Sequence, residues 1–167
     1  MPKQSTMCAN NEFYKARMSA SSCNDRLSSR EGASEETGID RTRLARIELG
    51  NIVPYPEEVL LMADTYNSPQ LPNYYCSKMC PLGKKTVPPA EVHGLDRLTI
   101  LLITALRNSD KIKEVFLEVA MDGKITPDEF ERVAYAESML EQIVVRAQET
   151  RILIASMKGG KHDGSSG

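Results

Sequence analysis

The sequence predicts an all-helical (all-α) protein. Tryptophan is absent and aromatic residues make up only 5% of the 167 residues, whereas the strands of sandwiches and barrels are enriched in aromatic side chains. Apolar residues recur three and four positions apart in several stretches, which is the spacing of one buried helix face. Glycine, proline and capping residues separate these stretches and mark the starts and ends of helices.

Two helical domains are expected along the chain. Residues 83–92 contain two lysines and two prolines, a composition that packs poorly and resists helix formation, so we interpret them as a linker. The predicted boundaries are a flexible arm at 1–10, a first domain at 11–82, a second domain at 93–158 and a flexible tail at 159–167.

Charge and hydropathy indicate a cytoplasmic protein without a membrane partner. The polar N-terminus lacks the apolar stretch of a secretory signal. The longest nearly apolar run, 98–106, has about half the length that a membrane-spanning helix needs. The net charge is only −2, so any contact with nucleic acid has to come from a local basic surface.

The first domain is expected to contain short helices with clear ends. Ser28 or Ser29 can cap a helix that Gly38 ends, because glycine readily adopts the left-handed backbone conformation. The side chain of Asp40 can accept from free amides at the start of the next helix, which ends at Gly50. Further helices are predicted at 11–20, from Pro56 to Tyr66, and at 73–79.

The second domain is expected to contain three helices. The first two place apolar residues on one face: Leu95, Leu98, Leu101, Leu102, Ala105 and Leu106 on the first, and Ile112, Val115, Phe116 and Val119 on the second. The third helix opens with Thr126 as cap, Pro127 at the first position and Glu129 three residues after the cap, and it runs to about Lys158.

The long third helix carries a coiled-coil-like seam. Its members alternate three and four positions apart. They are Val133, Ala136, Leu140, Ile143, Ala147, Thr150, Ile154 and Met157. The seam can fold back on the two preceding helices as an intramolecular bundle, or it can pair with a second copy of the chain.

Residues 30–50 fit a helix-turn-helix motif. Such a motif needs a small residue where the second helix crosses the first, a glycine turn, and a second helix that is apolar on one side. The residues in these roles are Ser34, Gly38, Ile39 as a plug beneath the turn, and Leu44 with Ile47 as the buried side.

The opposite side of the second helix is polar and basic. On a wheel of about 100° per residue, the outward residues are Arg41, Thr42, Ala45 and Arg46, with Arg43 on the flank. An arginine fork can satisfy both major-groove acceptors of guanine, and a threonine can meet a base edge or a thymine methyl group. The pattern therefore predicts a helix that reads base edges in duplex DNA.

Over residues 13–66 the chain resembles the phage repressor and Cro-like helix-turn-helix family, also called the Xre family. The match is most specific at 38–50 and continues at Pro54, 56–59 and 62–64. The resemblance implies an N-terminal lambda-repressor-like five-helix DNA-binding domain, here followed by a C-terminal helical hairpin or bundle with one long coiled-coil-like helix. Members of the family commonly dimerise on palindromic operators.

The resemblance also implies roles for individual residues. Base readout falls to Arg41, Thr42 and Arg46, and contacts to phosphates or base edges fall to Arg30 and Arg43. The residues implied to hold the motif together are Ser34, Gly38, Ile39, Asp40, Leu44, Ile47 and Glu48. The family often pairs an arginine of its first helix with the glutamate that ends the reading helix, and Arg17 and Glu48 are our candidates for that pair.

These observations predict a transcription regulator, a repressor of bacterial, phage or mobile-element type, with a double-stranded DNA operator as partner. Dimers double the number of operator contacts, so we expect a homodimer through the C-terminal helices. The alternatives are a protein-interaction adaptor and an antitoxin-like protein whose C-terminal helices hold a partner. An enzyme or a bound cofactor is not expected, because the sequence has no phosphate-cradling glycine loop and no set of nucleophile, base and orienting acid.

The cysteines are interpreted as free thiols. Cys76 and Cys80 are four positions apart and share one side of a helix, but a structural zinc site needs four ligands. The other candidate ligands, none with convincing spacing, are Cys8, Cys23, His93 and His162. Thiols packed at the end of the first domain are therefore expected, with a redox-sensing pair as the alternative.

Overall fold

The computed structural model describes residues 10–107 and 109–159, apart from the side chain of Asp122. Within these ranges the chain is all-helical and contains no strand, which confirms the all-α prediction. The elements are α1 (Glu12–Ala20), a 3₁₀ turn η1 (Asp25–Ser28), α2 (Arg30–Thr37), α3 (Arg41–Glu48), α4 (Pro56–Thr65), α5 (Leu71–Lys78), α6 (Gly83–Thr86), α7 (Leu95–Leu106), α8 (Ser109–Asp122) and α9 (Phe130–Gly159).

The chain divides into two compact units. The first unit comprises the residues up to Pro89 and from Ala155 onward, and the second unit is Ala90–Ile154. The predicted arm at 1–10 and the predicted tail at 159–167 lie almost entirely outside the described residues. None of the described helices is both long and apolar enough to span a membrane.

Asn11 starts α1 and ties it to the end of α3. Its side-chain oxygen accepts hydrogen bonds from the backbone N–H groups of Phe13 at 2.9 Å and Tyr14 at 3.2 Å. Its side-chain nitrogen donates to the carbonyl oxygen of Ile47 at 3.0 Å. Since the Phe13 and Ala16 side chains are buried, this polar contact fixes the helix whose apolar side enters the core.

The polar stretch between α1 and α2 contains η1, which is not among the predicted elements. The side chain of Asn24 accepts from the N–H of Arg26 at 3.1 Å, and the hydroxyl of Ser28 donates to the carbonyl of Asp25 at 2.6 Å. The side chain of Leu27 is 1% exposed. A locally hydrogen-bonded turn thus carries one apolar anchor into the core.

One contiguous apolar core holds the first unit together. Its buried members are Phe13, Ala16, Leu27, Ala33, Ile39, Leu44, Ile47, Val59, Met62, Ala63, Tyr66 and Leu71. Each fully buried large side chain contributes roughly 1.5–3 kcal/mol relative to exposure. The core therefore joins α1, η1, α2, α4 and α5, and it fixes the position of α3.

The predicted linker begins with a helical turn, which differs from the expectation that it resists helix formation. Residues Gly83–Thr86 form α6, and the N–H of Val87 donates to the carbonyl of Gly83 at 2.7 Å. Gly83 lies so close to the carbonyl oxygen of Cys76 that a Cβ would overlap it. The buried Asn73 donates to the carbonyl of Pro88 at 3.0 Å, so this stretch packs on the first unit.

The second unit buries fewer of its apolar residues than the sequence predicts. Its buried apolar side chains in the described residues are Leu98, Ala105, Ile112, Ala136, Met139 and Ile152. Leu95 and Leu106 of the predicted α7 face are 57% and 48% exposed, and Phe116 of α8 is 39% exposed.

The start of α9 differs from the predicted helix opening. Thr126 does not cap the helix through its oxygen; its hydroxyl donates to the carboxylate of Glu129 at 2.7 Å, and its N–H donates to the same carboxylate at 2.9 Å. The helix begins at Phe130, because residues 127–129 form a turn.

The predicted seam of α9 divides between two environments. Ala136 is buried, and Val133, Ile143 and Thr150 are half-buried. The other members, Leu140, Ala147, Ile154 and Met157, are exposed. Met139, Glu149 and Ile152, which lie off the seam, are buried instead. The seam therefore packs against neighbouring helices only in part.

Candidate nucleic-acid interface

The three-residue turn 38–40 joins α2 to α3. Gly38 ends α2 with a φ of 72°, and its N–H donates to the carbonyl of Ser34 at 2.9 Å. A side chain at this φ is strained, so the turn requires glycine. The carboxylate of Asp40 accepts from the N–H of Arg43 at 3.0 Å and so caps the start of α3.

Buried contacts hold the turn from below. Ile39 is buried and its N–H donates to the hydroxyl of Thr37 at 3.2 Å, which in turn donates to the carbonyl of Ala33 at 2.7 Å. Leu44 and Ile47 are 0% and 1% exposed. One side of α3 is therefore fixed in the core, and the opposite side faces away from it.

Arg41, Thr42 and Arg46 are exposed, and we call them the outer face of α3. Thr42 and Arg46 lie about 160° and 200° around the helix from Leu44, while Arg41 is the first helical residue. Arg46 makes no ion pair with any described residue. The structure thus brings together the three side chains to which sequence analysis assigns base readout.

A buried carboxylate connects the end of α3 to α1 and α2. Glu48 is 1% exposed and accepts from Arg17 through both of its oxygens, at 2.6 and 3.1 Å. Arg30 donates to the second oxygen at 2.7 Å. Arg17 also donates to the carbonyl of Leu27 at 2.8 Å. The structure therefore contains the Arg17–Glu48 pair that the sequence suggested, and it adds Arg30 to that pair.

Arg43 is bound to α4. Its guanidinium pairs with the carboxylate of Glu58, with one contact at 2.8 Å, and lies 4.3 Å from the centre of the Tyr55 ring. The hydrogen bond from Arg43 lowers the pKa of Glu58, which also accepts from the N–H of Tyr55 at 2.7 Å. The same bond raises the pKa of Arg43. Arg43 thus joins α3 to α4 at the flank of the outer face.

Acidic residues of α2 lie beside the outer face. The guanidinium of Arg41 is 3.0 Å from a carboxylate oxygen of Glu31, and both side chains are exposed. Glu35 and Glu36 both pair with Arg26. Exposed pairs of this kind contribute only about 0–1 kcal/mol to folding. The Arg41–Glu31 pair places one carboxylate next to the outer face, whereas Glu35 and Glu36 are balanced by Arg26.

Three residues of the site, Gly32, Glu31 and Glu58, were not indicated by the sequence pattern. A Cβ on Gly32 would overlap the carbonyl oxygen of Arg26, so α2 can approach η1 only with glycine there. Glu31 and Glu58 are ten and fifteen residues from the arginines they pair with, a separation that no local pattern reports. For Gly32 the one available signal was a glycine inside a predicted helix.

A buried hydroxyl lies in the core near this network. The side chain of Tyr66 is 3% exposed, and its hydroxyl has no hydrogen-bond partner among the described residues. Burial raises the pKa of Tyr66, and the charge of Glu48 adds to that effect. The phenol is therefore neutral at physiological pH, and its oxygen is desolvated without compensation.

The cysteines in the described residues are free thiols. Cys23 is exposed, and Cys76 and Cys80 are partly buried. The sulfur of Cys80 accepts from the N–H of Gly83 at 3.4 Å, a contact that belongs to the packing of α6. Within 10–107 and 109–159 no group of three or more histidine, cysteine, aspartate or glutamate side chains is placed to hold a metal ion.

The candidate interface is thus a small basic surface, the outer face of α3, fixed from behind by Leu44, Ile47 and Glu48 and flanked by carboxylates of α2. Comparison of the chain with protein-family models, curated proteins and solved structures gives no match.

Proposed function

We propose that the chain is a sequence-specific double-stranded DNA-binding protein that acts as a transcription regulator, a repressor of the bacterial, phage or mobile-element kind. The observation that carries this proposal is the pairing of two sides on one helix. Arg41, Thr42 and Arg46 face solvent, while Leu44 and Ile47 hold the opposite side in the core. A helix placed in this way can enter the major groove, which is about 12 Å wide.

The outer face of α3 supplies suitable chemistry for reading bases. The guanidinium of Arg46, which has no ion pair in the described chain, can donate two parallel hydrogen bonds to the O6 and N7 acceptors of guanine. Thr42 can contact a base edge or a thymine methyl group. Arg41 can reach a phosphate or a base once it leaves Glu31, which costs little because that pair is exposed.

The buried network keeps this helix in place. Glu48 ends α3 and holds both Arg17 and Arg30, so a displacement of α3 would break contacts to α1 and α2. In this proposal Arg30 positions α3 through Glu48 and contacts phosphates, and Arg43 braces the flank through Glu58. Contacts to phosphates fix the position and orientation of a protein on the duplex, whereas contacts to bases determine its sequence preference.

The assembly we propose is a cytoplasmic homodimer on a two-fold symmetric operator. Helices α1 to α5 would form the lambda-repressor-like five-helix domain, a resemblance carried by residues 38–50 and by the downstream helix α4. The second unit would supply the contact between two copies. A symmetric protein dimer predicts two half-sites spaced by about one helical turn of DNA.

Selection of bound duplexes from a random library tests the proposal. We expect enrichment of one palindromic sequence, because base readout and two-fold assembly both leave a signature in the selected pool. Affinity for the selected site should fall steeply as salt rises, by close to one logarithmic unit per tenfold salt for each phosphate contacted. A pool with no enriched sequence would contradict the proposal.

Substitution of Arg46 locates the reading surface. Arg46→Ala should cost about 1–3 kcal/mol on the selected site and should relax preference at one base position. Lys78→Ala, an exposed cation on α5, is the matched control and should leave base preference unchanged. Equal affinity of the Arg46 variant and the parent for the selected site would remove Arg46 from the interface.

A protein-interaction adaptor is the second candidate function. The observation that favours it is the acidic character of α2, where Glu31, Glu35 and Glu36 face solvent beside α3. Those carboxylates repel phosphates and would suit a basic or mixed-charge protein surface. The random-duplex selection separates the two functions, since an adaptor that binds a protein through these carboxylates would enrich no DNA sequence.

A further inference from the structure

A stripe of four apolar residues and one arginine follows the exposed side of α9. Its members are Leu140, Val144, Ala147, Arg151 and Ile154, and we call them the α9 stripe. The three large apolar side chains Leu140, Val144 and Ile154 are 39%, 54% and 46% exposed. The spacing alternates four and three, which is the repeat that lets two helices pack along a common seam.

From Leu140 onward the α9 stripe is distinct from the side of α9 that carries the buried residues Glu149 and Ile152. Ala136, four positions before Leu140 on the same side, is buried, so the exposed stripe begins at Leu140. Glu149 accepts from Arg146 at 2.7 Å and from the N–H of Glu91 at 3.2 Å, which fixes that buried side. The helix therefore keeps its stripe exposed while its other side is occupied.

Charge is sorted along the exposed part of α9. Glu137 and Glu141 lie on or near the side of the stripe in the first half, while Arg151 and Lys158 lie on that side in the second half; Glu131 lies on the opposite side. All five are exposed, and none forms an ion pair with a described residue. The remaining charged side chains of the helix are matched, Arg132 by Glu118 at 2.6 Å and Arg146 by Glu149.

This sorting selects one orientation for self-pairing. In a parallel pair Glu137 would face Glu137 of the other copy, and Arg151 would face Arg151. In an antiparallel pair the acidic half of each helix lies along the basic half of the other, and charges that flank a helical seam determine orientation in this way. The apolar exposure on α7 and α8 has no comparable separation of charge.

We propose that a second copy of the chain covers the α9 stripe, with the two α9 helices antiparallel. This inference rests on the homodimer part of the proposed function and specifies its surface and orientation. It does not depend on DNA binding, so its test uses the full chain without DNA. If the chain does not associate, base readout by α3 can still be tested by the selection of bound duplexes.

Sedimentation equilibrium of the full chain measures the association. We expect a dimer at micromolar concentration, and Val144→Asp should raise the dissociation constant about a hundred-fold or more by placing a carboxylate in the seam. Ser138→Asp introduces the same group at an exposed position of α9 outside the stripe and should leave the constant unchanged. Circular dichroism verifies that both variants remain helical. A monomeric parent up to about 100 μM, a concentration at which even weak specific dimers are populated, would overturn the proposal.

Charge reversal tests the orientation. Glu137→Lys with Glu141→Lys, and separately Arg151→Glu with Lys158→Glu, should each weaken self-association by about ten-fold, because like charges then meet along both halves. An equimolar mixture of the two variants should recover the affinity of the parent, since every reversed charge meets an opposite one. Variants that associate as tightly as the parent would exclude the antiparallel pair, because reversal leaves the charge pairing of a parallel dimer unchanged.

Discussion

The two units of the chain bury their apolar side chains to different extents. The first unit has a contiguous core in which Leu44, Met62 and Leu71 are at most 1% exposed. In the second unit Ile100, Leu117 and Met121 are 67%, 67% and 89% exposed. Because burial of apolar surface is the main favourable contribution to folding, the first unit contains its own source of stability. The second unit leaves more of its large apolar side chains exposed.

The units also differ in how they use a buried glutamate. Glu48 in the first unit is held by two arginines from two other helices, Arg17 and Arg30. Glu149 in the second unit is held by Arg146 of its own helix and lies 3.9 Å from the ring of His93. The first carboxylate therefore joins helices of a closed core, while the second pairs mainly with its own helix.

The largest expected effect is at Glu48. Glu48→Gln removes the charge that compensates the buried Arg17, and loss of one partner of a buried pair costs about 3–5 kcal/mol. Urea denaturation of the first unit measures this loss in the free energy of unfolding. Glu31→Gln, which breaks only an exposed pair, should change it by less than about 0.5 kcal/mol. A loss at Glu48 below about 1 kcal/mol would mean that the network does not hold the core together.

The stabilities of the two units should also respond differently to dilution. If a second copy supports the second unit, a hundred-fold dilution lowers its stability by up to about 2.7 kcal/mol, following the mass-action rule for a bound partner. The first unit, whose core is complete, should unfold at the same temperature throughout. Scanning calorimetry over this concentration range checks both transitions. If neither unfolding temperature changes with protein concentration, the exposed apolar side chains of the second unit are not covered by association.

A smaller effect, dependent on pH, is expected at Glu58. Its pKa is lowered below the ordinary value of 4.5 by Arg43, so the pair stabilises the first unit above that pH and is lost as the pH falls through the folded pKa. Glu58→Gln should therefore cost up to about 1 kcal/mol at pH 7 and nothing in acid. Glu57→Gln at the exposed neighbouring position is the control. A deficit that stays unchanged after the pH has fallen below the folded pKa of Glu58 would assign the effect to packing instead of charge.

The smallest effect concerns Tyr66. Its hydroxyl is buried without a partner among the described residues, so Tyr66→Phe removes a desolvated oxygen and leaves the ring in place. We expect the free energy of unfolding to stay constant or to rise by up to about 1 kcal/mol. Thermal denaturation of the variant checks this expectation, and a loss of stability above that size would reveal a hydrogen bond to the hydroxyl.

The sequence predicted the local features of the first unit well. Asp40, Gly38 and Pro56 mark helix ends through contacts that span three or four residues, and such contacts are readable from spacing alone. Leu44 and Ile47 were predicted as buried for the same reason, since one short helix has one apolar side.

The partners of the charged residues could not be predicted in this way. Whether Arg41 meets Glu31, or Arg43 meets Glu58, depends on how helices cross, and sequence spacing does not encode the crossing. The α9 seam stays a prediction. Its spacing places apolar residues along one side of the helix, and only the packing of neighbouring helices or of a second copy decides which of them are buried.

The pair between Arg41 and Glu31 affects how a polyanion would be received. In the free chain Arg41 has a counter-charge, because a carboxylate oxygen of Glu31 lies 3.0 Å from its guanidinium. An incoming phosphate must compete with the Glu31 carboxylate. When a guanidinium exchanges one protein carboxylate for a phosphate, fewer small ions are released to the solvent than when an unpaired guanidinium binds the phosphate. The affinity of this surface for a polyanion would therefore depend less on ionic strength than the number of arginines on α3 suggests.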